Sequence, residues 1–384
     1  MILVKQYPTP DDIPPFHLDT PKHKDSSTQT TVAVRGWMSA PPDSIRLIVR
    51  SDDKTRDMPF NEERPEIAAQ LPPNTSDLHV YGFNYELTIT TPIMIGARLA
   101  GKPYWCFAVA RETNQTKALV GYSGYLFLNN DTNDSVSQYT GEFKAEEKVF
   151  TDWEKYFSEN KNENMQFLLA PAKEELFPDF YPYPRGTNTF IDQYLKKFGE
   201  HINYPLKELF EYREMAYRST DTHWSDFGAL IAAKTVLQRF GIPHSNQTLN
   251  PTFRVAMTYG DLGNKMKPMQ QGPVLKMVNT PNPAFNNQIP NHGKIWAYIN
   301  NDAPVNKTLH IYGDSFASNL APILSLMFKK TVLLHTAGQP DQSVIVVDKP
   351  DYVLCQTNQR FVATVPSPIS IWNLHACSLK KLTF

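Results

Sequence analysis

The sequence predicts a two-part chain: a small antiparallel β-sandwich, then an α/β domain of three layers with a mainly parallel sheet. Three observations carry this reading. Between about residues 30 and 115, short runs with period-two apolar alternation are separated by Pro- and Asp-containing turns. Beyond 117 the apolar period lengthens to that of helices, and helices then alternate with short apolar strands. The 384 residues are enough for two separate cores.

The elements follow in order. Residues 1–28 are polar, rich in proline and without a period, so they read as an extended N-terminal arm. Residues 29–116 form the expected sandwich. Thr31 to Val34 is β-branched, Ile45, Leu47 and Val49 alternate with Arg46, Ile48 and Arg50, and Tyr81 to Thr90 alternates through Phe83, Tyr85 and Leu87. Arg64 to Gln70 reads as one short helix with Pro65 at its first position. No cluster of catalytic residue types occurs here, so this zone is expected to be an accessory domain, structural or carbohydrate-contacting.

Residues 117–384 form the expected second domain. Val149, Trp153, Tyr156 and Phe157 fall at helical spacing, and Met165 to Ala170 is a short apolar strand. Helices are predicted at 187–199, through Phe190, Tyr194 and Phe198, and at 226–240. Strands are predicted at Leu309–Tyr312, Thr331–Leu334 and Ser343–Val347, with a fourth at Tyr352–Cys355. Residues 245–300 carry many Pro and Asn and little period. They read as a long loop that is functional or holds local structure of its own.

Composition narrows the function. Apolar residues make up 41% and charged residues 20%, an ordinary globular balance. With 38 Lys plus Arg against 39 Asp plus Glu, the net charge of -1 argues against a broad electrostatic footprint for nucleic acid or an anionic membrane. It leaves room for a small basic pocket. The three cysteines, Cys106, Cys355 and Cys377, lie far apart and form neither a disulfide framework nor a zinc ribbon. Prolines number 31 and glycines 17, which suggests long ordered connections. Met1 to Tyr7 lacks a secretory h-region, and no apolar run approaches the roughly 20 residues of a membrane span. The expectation is a soluble, cytoplasmic protein, or a periplasmic one if a signal has been removed.

Two motifs carry chemistry. Ile311-Tyr312-Gly313-Asp314-Ser315-Phe316 is an apolar strand ending in a Gly turn, with a helix predicted just after Ser315. That places the Ser315 hydroxyl at the carboxyl edge of the sheet, near backbone N–H groups able to stabilise an oxyanion. Pro322 is expected to interrupt that helix, which restarts near Ala321. The bland reading of Asp314-Ser315 is a helix N-cap. The second motif is Asp221-Thr222-His223-Trp224-Ser225, in extended chain before the helix that Ser225 caps. Residues two apart in extended chain share a side, so Asp221 can bond one imidazole nitrogen of His223 and leave the other as a base. Alone, D-x-H equally suits two metal ligands or surface residues. No second His pair completes a metal site, and none is expected. Together the motifs supply nucleophile, base and orienting carboxylate as Ser315, His223 and Asp221.

These residues resemble the SGNH-hydrolase-like domain of the alginate and exopolysaccharide O-acetylation proteins. Asp221-Thr222-His223-Trp224 precedes Gly313-Asp314-Ser315-Phe316, as in that family. Val120 to Leu128 resembles its opening strand, with Tyr125 in place of Trp; Ala170-Pro171-Ala172-Lys173-Glu174 resembles its P-x-K-E turn; Tyr259 to Lys265 its G-D-L-G stretch; and Pro350 to Leu354, leading to Gln359-Arg360, its closing strand. The resemblance covers about residues 117–365. Ser225 departs from the Asn common after the Trp, and Gln356 from a Glu. Arg35-Gly36-Trp37-Met38, Arg64 to Ala68 and Gly82-Phe83 more loosely resemble a β-sandwich attached to bacterial glycosyltransferases.

The resemblance implies a serine-dependent O-acetyltransferase of a bacterial surface polysaccharide or its precursor. The alternatives are a carbohydrate acetylesterase using the same three residues and a non-catalytic glycan-binding or assembly protein. Further candidates for substrate or oxyanion contact are Asp314, Trp224 as a sugar-stacking platform, Arg360, Lys173, and Asn133 in the Asn129–Asn133 run. No bound cofactor is expected. A transferase needs an acetyl donor, and no phosphate-cradling loop marks a coenzyme A site. The expected partners are a carbohydrate substrate and other polysaccharide-assembly proteins. Residues 245–300 are the candidate lid.

Overall fold

The computed structural model describes residues 2–7, 16–23, 25–26, 30–41, 45–51, 54–69, 78–89, 92–111, 117–129, 131–160, 162–245 and 248–366. Gln70, Thr90, Asn130 and Cys377 lie outside these, as do residues 8–15 of the expected arm. The chain divides into two compact units, Met1–Phe127 with Pro178–Arg185, and Leu128–Phe177 with Gly186–Phe384. The change of apolar period places the division at 116/117.

The first unit holds two antiparallel sheets. One has the order Ile2–Gln6, Lys102–Arg111, Ile93–Leu99, Ile45–Ser51, Lys54–Met58. The other has the order Phe16–Thr20, Thr31–Ala40, His79–Thr88. Period-two alternation sends Ile2, Leu47, Ile95 and Phe107 of the first sheet, and Val34, Met38 and Phe83 of the second, into one core. Two of these strands come from the stretch read as an arm. Ile2, Leu3 and Phe16 are buried there, apolar positions hidden within a polar average. The short helix is Pro65–Ala68.

The second unit is built on a seven-stranded sheet. Its order is Ile202–Asn203, Met165–Ala170, Tyr352–Asn358, Val305–Gly313, Phe328–His335, Ile295–Ile299, Phe285–Asn286. The first five strands pair in parallel, and the last two add antiparallel edges. Four of this sheet's six pairings are parallel and two are antiparallel. The protein is a mixed α/β structure, and its sheets are mostly antiparallel. The stretch expected as a loop supplies Ile295–Ile299, which runs against its neighbours on both sides, and Phe285–Asn286 beyond it, while the two sheets of the first unit pair antiparallel.

Helices Glu147–Glu159 and Phe190–Phe198 cover one face. Trp153, Tyr156, Tyr194 and Phe198 pack there on Phe167, Leu169, Tyr312 and Cys355. Thr189 and Asp192 close a capping box at the start of the second helix. Helices Asp226–Arg239 and Ala317–Leu324 pack on each other and on strands of the sheet.

Two local expectations change, and the reading of 245–300 as holding local structure of its own is met. Ser343–Val347 is not a strand but part of helix Gln342–Asp348, whose first turn is capped by the Asp341 carboxylate accepting from Ser343 N–H at 3.0 Å. A β-branched run favours strands, and an N-cap with packing of Val344 overrides that preference here. Pro322 sits inside the continuous helix Ala317–Leu324. Residues 245–300 carry an antiparallel hairpin, Phe253–Thr258 with Gly272–Met277, a short helix Gly260–Gly263, and the two edge strands.

Candidate active site

Strand Val305–Gly313 lies between two parallel neighbours and delivers its last residue to the carboxyl edge of the sheet. The chain turns sharply there. Thr336 and Ala337 N–H groups both donate to Gly313 O at 2.9 Å, and Asp314 N–H donates to Gln356 Oε1 at 3.1 Å. The Asp314 carboxylate accepts from Phe316 N–H at 2.8 Å, and Asp314 O accepts from Ala317 N–H at 3.1 Å. A side chain at Gly313 would strike Ala317 Cβ and come within 2.9 Å of Gln356 Oε1, so the turn needs glycine. The result places Ser315 at a half-buried position. Among the described residues the Ser315 N–H donates to no acceptor.

The opposing motif is a bend rather than extended chain. Asp221 Oδ1 accepts from His223 N–H at 2.9 Å and lies 2.6 Å from His223 Nδ1. On the far side of the ring, His223 Nε2 is 2.7 Å from Ser315 Oγ, across 92 residues of sequence. The three residues read from the two motifs are thus brought into one hydrogen-bonded line. With Nδ1–H donated to the carboxylate, Nε2 is left as acceptor of the serine proton.

The carboxylate is held charged. Burial of Asp221 opposes ionisation, but the His223 bond and the Arg218 guanidinium, 3.1 Å from Oδ2, hold it well below the ordinary carboxylate range. Asp261 N–H also donates to Oδ2 at 3.2 Å. Asp261 in turn accepts from Thr222 N–H and Thr222 Oγ1, both at 2.7 Å. The motifs by themselves identified neither support. Arg218 precedes Asp221 by three residues, and Asp261 belongs to the G-D-L-G stretch. Asp221, His223 and Asp261 bring ligand-type atoms within 4.8 Å of one another. Each of their carboxylate oxygens already accepts from an N–H or O–H donor, and Arg218 adds positive charge. That donor set suits hydrogen bonding rather than a cation.

The remaining candidates separate. Trp224 is fully buried, its Nε1–H donating to Phe316 O at 3.0 Å and its ring edge-on to Phe316 at 5.1 Å. It has no open face for a sugar and instead ties the His223 segment to the Ser315 turn. Asp314 is buried, which raises its pKa, and it shapes the turn. Lys173 is buried too, donating to Ser219 O at 2.8 Å and Asp221 O at 3.0 Å. Burial brings its amine down to about 7, against the pull of Asp221. It supports the Asp221 backbone. Arg360 is at the rim, its guanidinium 4.8 Å from the Phe361 ring. It lines a small cleft with Thr222, Glu174, Asn358 and Ser135. Asn133 does not line this cleft. Its carbonyl accepts from Gln138 Nε2 at 2.6 Å, and the same group donates to Arg360 O at 3.0 Å. Ser225 caps its helix, accepting from Gly228 N–H at 3.1 Å.

No family profile matches the chain, and no curated protein matches its sequence. Among solved structures it is similar to Bacillus cereus PatB1, at 16% identity and a TM-score of 0.45 over 65% of this chain and 98% of that one. It is also similar to the O-acetyltransferase domain of Pseudomonas putida AlgJ, at 14% identity and 0.41 over 69% and 99%. A DHHW family protein from Eubacterium siraeum aligns at 16% identity and 0.43 over 67% and 98%.

Proposed function

We propose that this protein is a serine-dependent acyltransferase that moves an acetyl group to a carbohydrate hydroxyl, with Ser315 as nucleophile, His223 as proton relay and Asp221 as its orienting carboxylate. One observation carries the reading: His223 bridges the two, 2.6 Å from Asp221 Oδ1 and 2.7 Å from Ser315 Oγ. The type of acceptor follows the motif resemblance of D-T-H-W and G-D-S.

Ser315 Oγ attacks the acetyl carbonyl of the donor as its proton passes to His223 Nε2. The resulting imidazolium is stabilised by the Asp221 carboxylate, which Arg218 and Asp261 N–H hold in place. The Ser315 N–H at the start of the helical turn supports the oxyanion. Collapse expels the donor's leaving group, which takes the proton from His223. An acceptor hydroxyl then gives its proton to Nε2, attacks the acetyl-serine, and leaves as the ester while Ser315 regains its proton.

Half-burial of Ser315 and His223 also admits water, which favours hydrolysis as a second outcome of the same intermediate. The test is Ser315→Ala assayed with a small acetyl ester, with and without an oligosaccharide. The expected result is loss of turnover and of acetyl-serine, and in the wild-type protein an oligosaccharide gaining one acetyl group. Unchanged turnover in the variant overturns the assignment.

A further inference from the structure

We propose that the hairpin Phe253–Thr258/Gly272–Met277 docks the protein on an anionic lipid bilayer surface. A two-stranded sheet packed on a protein body ordinarily turns its apolar residues inward and its polar residues to water. This one does not. Its inner face rests on the active-site segment: Val274 is buried, and a side chain at Gly272 would strike Ser219 and come within 3.0 Å of Thr220. In register on the outer face stand Val255 with Leu275 and Met257 with Pro273. Val255 is 69% exposed and Met257 58%, and Met269, in the connection between the strands, is 57% exposed. Leu275 is half-buried and Met277, next on this face, is buried, so Val255, Met257 and Pro273, with Met269 beside the strands, form the exposed apolar surface awaiting a contact.

The hairpin is held firmly in this presentation. Asp226 Oδ2 accepts from Met277 N–H at 2.8 Å, and Phe253 meets the Phe227 ring edge-on at 5.5 Å.

Charge selects the occupant. The whole chain is near neutral, but residues 250–280 contain Lys265 and Lys267, exposed in the connection that carries Met269, Arg254 and Lys276, exposed and paired on the alternate face of the strands, and a single acid. That acid, Asp261, accepts hydrogen bonds from Thr222. A glycan is a poor match, because Val255, Met257, Pro273 and Leu275 offer no side-chain hydrogen-bonding atoms. A second copy is a poor match as well, since it would bring the same cations against one another. Aliphatic side chains flanked by cations suit the boundary between acyl chains and anionic headgroups. Phe210, Tyr212 and Met215, also exposed, are interleaved with Glu208, Glu211 and Glu214 and are left out of the face. Because the connection that carries Lys265, Lys267 and Met269 also carries Asp261, docking would set the Ser315 cleft beside the membrane.

The experiment is co-sedimentation of the full chain with vesicles of phosphatidylcholine alone and of phosphatidylcholine mixed with phosphatidylglycerol, paired with light scattering. The expected result is binding to the mixed vesicles that weakens with salt. Lys265→Gln and Lys267→Gln should each weaken it about fivefold. Val255→Asp with Met257→Asp should abolish it while circular dichroism and turnover of a soluble acetyl ester stay as in the wild type. Ser315→Ala should bind as the wild type does, so failure of the chemistry and failure of docking are read separately. Absence of wild-type binding to mixed vesicles overturns the proposal, as does equal binding by the Val255/Met257 variant. A dimer in solution that this variant disperses, without vesicle binding, assigns the face to a second copy instead.

Discussion

Asp261 grips Thr222 twice, its Oδ1 accepting from the Thr222 N–H and its Oδ2 from the Thr222 hydroxyl, both at 2.7 Å. Thr222 lies between Asp221 and His223, so a residue 39 positions away sets the bend that aims the imidazole at Ser315. Asp261→Ala should therefore lower kcat by about tenfold to a hundredfold with little change in KM, since small misplacements of reacting groups are costly. Asp261→Asn should recover part of the loss by keeping one acceptor. A variant with wild-type kcat would show that Thr222 is held well enough without it.

Asp221→Asn removes the charge that stabilises the imidazolium and favours the wrong tautomer of His223. The expected loss in kcat is on the order of 10³–10⁴, with the fold intact. Steady-state kinetics with a small acetyl ester reads this directly, and a loss below tenfold would place the orienting role elsewhere.

Gly260 has a φ of +66°, and a side chain there would strike Thr220 O and stand 2.7 Å from Asp221 Cβ. Gly260→Ala should destabilise the protein by about 1–3 kcal/mol, combining left-handed strain with the clash. Urea unfolding measures it. A midpoint equal to the wild type would mean that the segment shifts freely.

Trp224→Phe puts a smaller ring in a fully buried site and removes the 3.0 Å indole donor to Phe316 O, leaving that oxygen with Asn319 N–H at 3.2 Å. The expected cost is about 1–3 kcal/mol, seen as a lower unfolding midpoint. Activity should fall with it, because the same bond ties the base segment to the nucleophile turn. A loss of stability with full activity at low temperature would separate the two effects.

Glu174, beside Arg360 in the cleft, is pushed up to about 7 by burial, which the nearby Arg360 only partly offsets. Its unfolded value is about 4.3. The native state therefore resists losing this proton. The contribution to stability is complete below about pH 4.3 and is lost as pH rises toward 7. Melting temperatures of Glu174→Gln should gain on the wild type across that interval. A constant difference between the two curves would assign the carboxyl an ordinary titration.

Much of the local structure was legible because short-range physics sets it. Trp153, Tyr156, Tyr194 and Phe198 form a buried aromatic face because helical spacing aligns them, and Gly313 ends a strand because only glycine fits beneath Ala317 and Gln356. The arm lost its strands in the reading because two short apolar runs, Ile2–Leu3 and Phe16, were averaged with polar neighbours. Ser343–Val347 misled because β-branched propensity is weak beside a cap and a core contact.

The sequence by itself singled out the candidate site: a carboxylate and an imidazole two residues apart, and a serine on a glycine turn. Only the tertiary structure decided that His223 and Ser315, 92 residues apart, stand 2.7 Å from each other. It likewise decided that Trp224 is buried, that Arg218 and Asp261 hold Asp221 and Thr222, and that Val255 and Met257 point to water. These are matters of long-range packing and register, in which residues distant along the chain compete for the same space and the same donors, and no local pattern encodes the outcome.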